Sequence, residues 1–233
     1  MTEFYIAFFA LLIIGLFIAG SSYSRLIRIY NKYNTYAYAN ITAAQFLAGA
    51  FKYLNLPHYR IAVNEKPFSD AYIIKKKIVV LSAQNVNSKT ISAITVAAHE
   101  VGHIMQEKDG SKLFAISFLL QLLGKIADIL LFPSLIVGGI LILFTSEYIM
   151  LGNIILFFGI SLYMITLLLK IITIPLELDA SKRALSLLKK EHIFDEEELI
   201  GAKKLLRAAA LTYVGSLFYN LYRFLRGVSR SFN

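Results

Sequence analysis

The sequence predicts a mainly α-helical integral membrane protein, with three to four transmembrane helices and a small cytoplasmic α+β portion. Two observations carry this prediction. Of the 233 residues, 57% are hydrophobic and only 17% are charged, a composition too apolar for one soluble domain of this size. In addition, three long stretches carry no charge, and each is near the length that crosses a hydrocarbon core of about 30 Å.

The uncharged stretches locate the membrane helices. They cover residues 4–24, 129–146 and 148–169. A fourth candidate, residues 205–225, has arginines near its ends, so it either spans with those side chains reaching the interface or packs against other helices. The first stretch is as apolar as a signal peptide, but its start is acidic where a signal peptide is basic, and we therefore expect a retained anchor.

The distribution of charge predicts the topology. Lys and Arg outnumber Asp and Glu by 12 to 5 in residues 25–112, whereas residues 129–169 contain no Lys or Arg. Because basic loops stay in the cytoplasm, we place residues 25–128 and 170–204 on that side of the membrane. The net charge of +9 is therefore not a sign of nucleic-acid binding, and the absence of cysteine excludes disulfides and thiolate metal ligands.

The segment after the first membrane helix predicts the α+β portion. Residues 42–56 are typical of a helix ahead of Pro57, and two β-prone runs, residues 59–63 and 77–81, indicate a small antiparallel sheet. An edge strand of such a sheet can hold an extended peptide by main-chain hydrogen bonds.

His99, Glu100 and His103 form the motif that indicates chemistry. The chain has only four histidines, and two of them stand four residues apart around a glutamate. Residues four apart share one face of a helix, so both imidazoles can reach one metal ion, with Glu100 beside them as a general base. This is the H-E-x-x-H pattern of zinc peptidases.

The neighbouring residues predict a packed helix around this motif. Ser88 or Asn87 can cap its start, and Gly110 is a natural stop after Lys108. Small residues near the histidines would let another helix approach closely. Two histidines that only hydrogen-bond inside a core are the alternative, and the intervening glutamate argues against it.

A catalytic zinc takes three protein ligands and keeps one position open, so a third ligand is needed. A hairpin of two membrane helices returns the chain to the cytoplasmic side, where the first carboxylates are Glu177 and Asp179. We expect Pro175 to open a helix there and Glu177 to be the ligand. His58 and His192 are the alternatives.

With these motifs the chain resembles the YugP-type neutral zinc metallopeptidases, bacterial integral membrane peptidases that are distantly similar to the HtpX group of membrane zincins. The resemblance rests above all on residues 96–103, 175–185 and 207–214. It implies a zincin-like fold in which one Zn²⁺ is held by a trio of side chains and a glutamate is the general base. By position, the ligands are His99, His103 and Glu177, and the base is Glu100.

Two further roles remain to be assigned. A ligand histidine needs a partner that orients it, and Asp179 is our candidate because Ser181 stands where the HtpX group has aspartate. The transition state needs a donor to the oxyanion, for which Tyr213, Tyr72 and Arg207 are candidates.

The leading hypothesis is a membrane-embedded zinc endopeptidase at the cytoplasmic face of a bacterial plasma membrane, with one Zn²⁺ per chain. Its expected partners are peptide or membrane-protein substrates and the lipid bilayer, with no nucleic acid. A non-proteolytic membrane scaffold or assembly factor with a retained metal site is the alternative, although a scaffold has no chemical reason to keep Glu100. A basic membrane-surface module would explain the lysines but not the histidines.

Overall fold

The computed structural model describes residues 2–35, 40–144 and 146–231, and this part of the chain is mainly helical with one small sheet. The helices are α1 (Thr2–Lys32), α2 (Ala43–Tyr53), α3 (Ala83–Val86), α4 (Ile91–Lys108), α5 (Lys112–Phe144), α6 (Ile149–Lys190) and α7 (Glu196–Ser231). The strands are β1 (Arg60–Asn64), β2 (Ala71–Ile73) and β3 (Ile78–Ser82). The predicted mainly α class with a small α+β portion is therefore confirmed.

The sheet is mixed, so the prediction of an antiparallel sheet was wrong. β3 lies in the centre, parallel to β1 and antiparallel to β2. The sequence analysis missed β2 because a strand of three residues is too short to show alternation. In the sequence, β2 lies between the parallel strands β1 and β3 and runs in the opposite direction. In the sheet, it lies beside β3 and forms one edge.

α2, α4 and the sheet enclose the core of the α+β portion. α2 begins with a capping box, in which Thr42 Oγ1 accepts from the Gln45 amide and Gln45 Oε1 accepts from the Thr42 amide. The largest fully buried apolar side chains include Leu47, Leu81, Ile94, Ile104 and Leu188. Burial of each contributes about 2 kcal/mol to folding. Since Leu188 belongs to α6, this core extends to the long helices.

The metal-motif helix, α4, begins slightly later than predicted. Its N-cap is Thr90, whose hydroxyl accepts a hydrogen bond from the Ala93 amide, whereas Ser88 contacts the Thr90 side chain instead. The helix ends at Lys108 as predicted, and Gly110 follows with a φ of +63°. A left-handed residue of this kind favours glycine and stops the helix.

α5 and α6 pack along each other as the longest helical pair. They approach closely at Gly138, where an added Cβ would lie 2.8 Å from the Leu156 backbone nitrogen. Pro175 does not open a helix, contrary to the prediction, but lies inside α6. A proline costs one backbone hydrogen bond in a helix interior, and the flanking turns of α6 pack against other elements.

α1 and α7 form the second long pair. α1 continues to Lys32, so it extends beyond the uncharged stretch of residues 4–24. Residues 36–39, which follow α1, and residue 145, near the end of the uncharged stretch of residues 129–146, lie outside the described part of the chain.

Among the described residues, α6 is long and apolar enough to cross a membrane, by length and composition alone. α4 and residues 112–127 pass the same test only as one broken span, bent by 101°, and Ile129–Phe144 is a shorter apolar helix. Large apolar side chains are exposed on α5 and α6, for example Phe144 at 78% and Phe157 at 71%. The three to four spans of the sequence analysis stay a prediction.

Candidate metal centre

The structure brings His99, His103 and Glu177 together. The histidines lie one turn apart on α4, and Glu177 comes from α6, which packs against α4. His99 Nε2 is 2.9 Å from Glu177 Oε2, and His103 Nε2 is 3.6 Å from Glu177 Oε1. One possible ligand atom of each residue lies within 4.8 Å of the others. The three side chains are 10 to 16% exposed, so the group is nearly buried but accessible.

Gly102 lets α4 and α6, the two helices that carry the candidate ligands, approach each other. A Cβ at this position would collide with the backbone carbonyl oxygen of Ala180 on α6. Ala180 and Ala98 are fully buried at this contact region. The small residues around the motif thus serve the close helix contact that the sequence predicted, and this contact brings Glu177 to the histidines.

Ser181 contacts His99. Its Oγ lies 3.4 Å from His99 Nδ1, the ring nitrogen opposite the one that faces Glu177. The serine found where the HtpX group has aspartate therefore still reaches a ligand histidine. A hydroxyl in this place can accept a hydrogen bond from Nδ1–H, which leaves the lone pair of Nε2 available to a metal.

Asp179, the candidate for orienting a ligand histidine, reaches one only through another residue. Asp179 Oδ2 accepts from Gln106 Nε2 at 2.8 Å and from Arg183 Nε at 2.8 Å. Gln106 Oε1 in turn lies 3.0 Å from His103 Nδ1. The spacing of Gln106, three residues after the second histidine, places it near the same face of the helix, but no role for it was predicted from the sequence.

Glu100 follows His99 in the sequence and is buried near both histidines, with 7% of its surface exposed. Burial raises the pKa of Glu100, and the nearby histidines His103 and His99 oppose this rise only in part. A carboxyl group with a raised pKa is a stronger base than an ordinary carboxylate, which suits a general base in peptide hydrolysis.

The charges of the ligand group fit a cation. Burial lowers the pKa of His103, but the interactions with Glu177 and Glu100 outweigh it and raise that pKa to about 9. Burial raises the pKa of Glu177, but His103 and His99 outweigh it and lower that pKa to about 2. The carboxylate and the imidazole nitrogens are groups that a metal ion binds in competition with protons.

Tyr213 is the oxyanion candidate that lies with this group. It is partly buried on α7, and its hydroxyl interacts with Glu177 and lies near Glu100. The sequence motifs could not select it, because only the packing of α7 against α4 and α6 brings it there.

The other two oxyanion candidates are engaged or placed elsewhere. The Tyr72 hydroxyl donates to Glu107, while the backbone amide of Tyr72 faces Glu100. Arg207 is exposed and lines a groove of about 470 Å³ between α6 and α7, which also borders Ser181. Neither side chain contacts the ligand trio in the part of the chain that the structure describes.

The two alternative third ligands do not join the group. His58 is exposed in the turn before β1, and His192 is exposed after the end of α6, where its φ is +51°. Among the described residues, the metal-binding type of cluster consists of His99, His103 and Glu177. Two imidazoles and one carboxylate are a ligand set of catalytic zinc sites.

Comparison with known proteins agrees with this chemistry. A family model described as "putative neutral zinc metallopeptidase" matches residues 6–231. The chain belongs to this family. It is also 33% identical over 165 residues to "putative membrane protease YugP" of Bacillus subtilis (strain 168), a match that covers 69% of this chain and 67% of that protein. No solved structure matches the chain.

Membership of the neutral zinc metallopeptidase family confirms the resemblance that the sequence motifs indicated. The family description implies zinc, and the His99, His103 and Glu177 group is the candidate site for it.

Proposed function

We propose that this protein is a membrane-embedded, zinc-dependent endopeptidase that hydrolyses peptide bonds near the cytoplasmic face of the membrane. The observation that carries the proposal is the meeting of His99, His103 and Glu177 within 4.8 Å, with Glu100 buried beside them. The His₂Glu set is one that catalytic zinc uses while keeping a fourth position open. The family description supports the same activity.

The reaction assigns a separate task to Glu100. When bound, Zn²⁺ supplies polarisation of the scissile carbonyl and lowers the pKa of water in the site toward about 7. The Glu100 carboxylate takes one proton from the attacking water, whose oxygen forms the new bond to the carbonyl carbon. Glu100 then gives this proton to the leaving nitrogen as the C–N bond breaks. The raised pKa of Glu100 suits both transfers.

We propose that the substrate peptide binds along the edge strand β2. β2 pairs with β3 along one side, and the Tyr72 backbone amide on β2 faces Glu100. An extended peptide that adds to this edge would pass beside Glu100, and its main-chain hydrogen bonds would hold it without requiring one particular side chain. This arrangement favours an endopeptidase, since the peptide can continue past the site in both directions.

The proposed setting is a multi-pass protein of the bacterial plasma membrane with its active site facing the cytoplasm. Four observations support it: the relative named as a membrane protease, the span-length helix α6, the exposed apolar side chains on α5 and α6, and the basic residues 25–112. Peptides or membrane proteins near the bilayer are the proposed substrates.

Hydrolysis by the purified protein tests the proposal. We expect the wild type to cleave casein or a labelled peptide and Glu100→Gln to lose this activity while keeping bound zinc, because an amide cannot act as the base. Glu191→Gln, an exposed glutamate at the end of α6, is the matched control and should cleave normally.

Three other results would count against this assignment. Full activity in Glu100→Gln would exclude Glu100 as the base. Loss of zinc in the same variant would make Glu100 a ligand. A wild type that binds zinc but cleaves no substrate would favour the scaffold alternative.

A further inference from the structure

Gln106 occupies an unusual place for a neutral polar side chain. It lies near the end of α4, one turn beyond the metal motif, and only 1% of its surface is exposed. A buried amide must satisfy its donors and acceptor inside the protein, because an unmade hydrogen bond there costs folding free energy. Its contacts therefore show what it does.

The three side-chain hydrogen bonds of Gln106 lead to His103 and to the Glu177 region of α6. Its Nε2 donates to the Leu176 carbonyl oxygen at 2.9 Å and to Asp179 Oδ2 at 2.8 Å. Its Oε1 lies 3.0 Å from His103 Nδ1. Leu176 immediately precedes the candidate ligand Glu177, and His103 is a candidate ligand itself.

The chemistry of these partners fixes the direction of each hydrogen bond. A backbone carbonyl and a carboxylate accept hydrogen bonds and donate none, so the amide nitrogen of Gln106 must face Leu176 and Asp179. Its oxygen must then face His103, and an oxygen that only accepts requires a proton on His103 Nδ1. A neutral imidazole with its proton on Nδ1 has its lone pair on Nε2, the nitrogen that faces Glu177.

The same network returns to α4. Asp179 also accepts from Arg183 Nε, and Arg183 pairs with Asp109, the residue that caps the C-terminus of α4. Gln106 on α4 and Asp109 at its C-terminus thus contact side chains on α6. The contact through Gln106 is buried, and the contact through Arg183 is partly exposed.

We infer that Gln106 is a positioning residue of the metal centre, which fixes His103 in the tautomer that presents Nε2 and holds the Glu177 turn of α6 at the matching distance. This inference rests on the proposed function, because it assigns the task of Gln106 relative to a metal held by His103 and Glu177. Gln106 itself contacts neither the metal position nor the substrate path; it acts through His103 and through the backbone beside Glu177.

Zinc affinity of the metal-free protein tests the inference, measured by competition with a chelator. Gln106→Leu keeps the approximate size but loses all three hydrogen bonds, and its affinity for Zn²⁺ should fall by about 10 to 100-fold. The double variant Gln106→Glu/Asp179→Asn keeps an acceptor for His103 Nδ1 and places an amide donor opposite the new carboxylate, so its affinity should lie closer to wild type than that of Gln106→Leu. The visible absorption of the Co²⁺-substituted protein should change in Gln106→Leu, since the imidazole orientation changes.

Ile104→Val is the matched structural control. Ile104 is fully buried on the same helix, two residues from Gln106, and its shortening lowers thermal stability without touching the network. It should leave the zinc affinity and the Co²⁺ spectrum unchanged. Equal loss of zinc affinity in Ile104→Val and Gln106→Leu would reduce Gln106 to a general packing role and overturn the inference.

The result for the wild type separates this inference from the proposed function. If the wild type does not bind zinc, the proposed function fails. If the wild type binds zinc and Gln106→Leu binds it equally well with the same Co²⁺ spectrum, only the role of Gln106 fails. If the double variant Gln106→Glu/Asp179→Asn loses as much affinity as Gln106→Leu, the hydrogen bond to His103 is not the cause and the assignment of the tautomer is wrong.

Discussion

Each histidine of the candidate ligand group contacts a different polar side chain, Ser181 for His99 and Gln106 for His103. The hydroxyl contact is 3.4 Å and the amide contact is 3.0 Å. A serine hydroxyl is a weaker partner for a ring N–H than a carboxylate would be, because it carries no charge. The buried amide of Gln106 contacts the other histidine of the group.

At the residue scale, the role of Tyr213 as a donor to the oxyanion is testable by substitution. If its hydroxyl donates to the oxyanion, Tyr213→Phe should lower kcat by about 10²-fold to 10³-fold, with little change in KM or bound zinc. Steady-state hydrolysis of a labelled peptide measures this. Tyr219→Phe on the same helix is the control, because Tyr219 is 51% exposed. A rise in KM with unchanged kcat in Tyr213→Phe would assign the hydroxyl to substrate binding instead.

The residues of the motif could be predicted from the sequence, and their partners could not. The spacing of His99, Glu100 and His103 follows from helical geometry alone. Gln106 and Ser181 become partners only through the contact of α4 with α6, which depends on where two distant helices cross. The position of a polar residue close to a motif in the sequence does not show which residue its side chain contacts.

At the scale of elements, Glu107 connects the metal helix to the sheet. Its carboxylate accepts hydrogen bonds from Tyr72 on β2, Tyr59 before β1 and Lys77 before β3. These contacts hold the edge strand β2 against α4, next to Glu100. Burial raises the pKa of Glu107, but the Lys77 and Tyr72 hydrogen bonds outweigh it and hold that pKa below its usual range.

The lowered pKa of Glu107 gives a prediction for stability against pH. A carboxyl group whose pKa is lower in the folded state stabilises the fold above its unfolded pKa of about 4.5 and loses that contribution as the pH falls through the folded value. Glu107→Gln should therefore lower the free energy of unfolding by about 1 kcal/mol at pH 7, with a smaller deficit below pH 4.5. Chemical unfolding in detergent measures both values, and a deficit that is the same at both pH values would contradict this reading.

The boundaries of α4, α6 and β2 show which structural features sequence patterns can predict. The start of α4 was predicted within three residues and its end at the correct residue, because caps are local chemistry. The interior proline of α6 misled the prediction, since tertiary packing of a 42-residue helix outweighs one lost hydrogen bond. β2 depends on pairing with β3, which leaves almost no signal in three residues.

At the scale of the whole molecule, the proposed orientation in the membrane is testable by chemical labelling. The chain is free of cysteine, so single cysteines can report exposure without background. A cysteine in place of Ser146, between α5 and α6, should react with a membrane-impermeant thiol reagent added outside intact cells. A cysteine in place of Ser111, just after α4, should react only after the membrane is opened. The reverse pattern would move the candidate metal centre to the outer face.

The central claim is that Glu177 completes a zinc site with His99 and His103, and zinc retained after mild chelation tests it most directly. Loss of a ligand weakens binding more than loss of a residue that only orients one. The account predicts about one zinc per chain in the wild type and in His192→Ala, little in Glu177→Ala, and an intermediate amount in Asp179→Asn. Zinc retained by Glu177→Ala but lost from His192→Ala would contradict it.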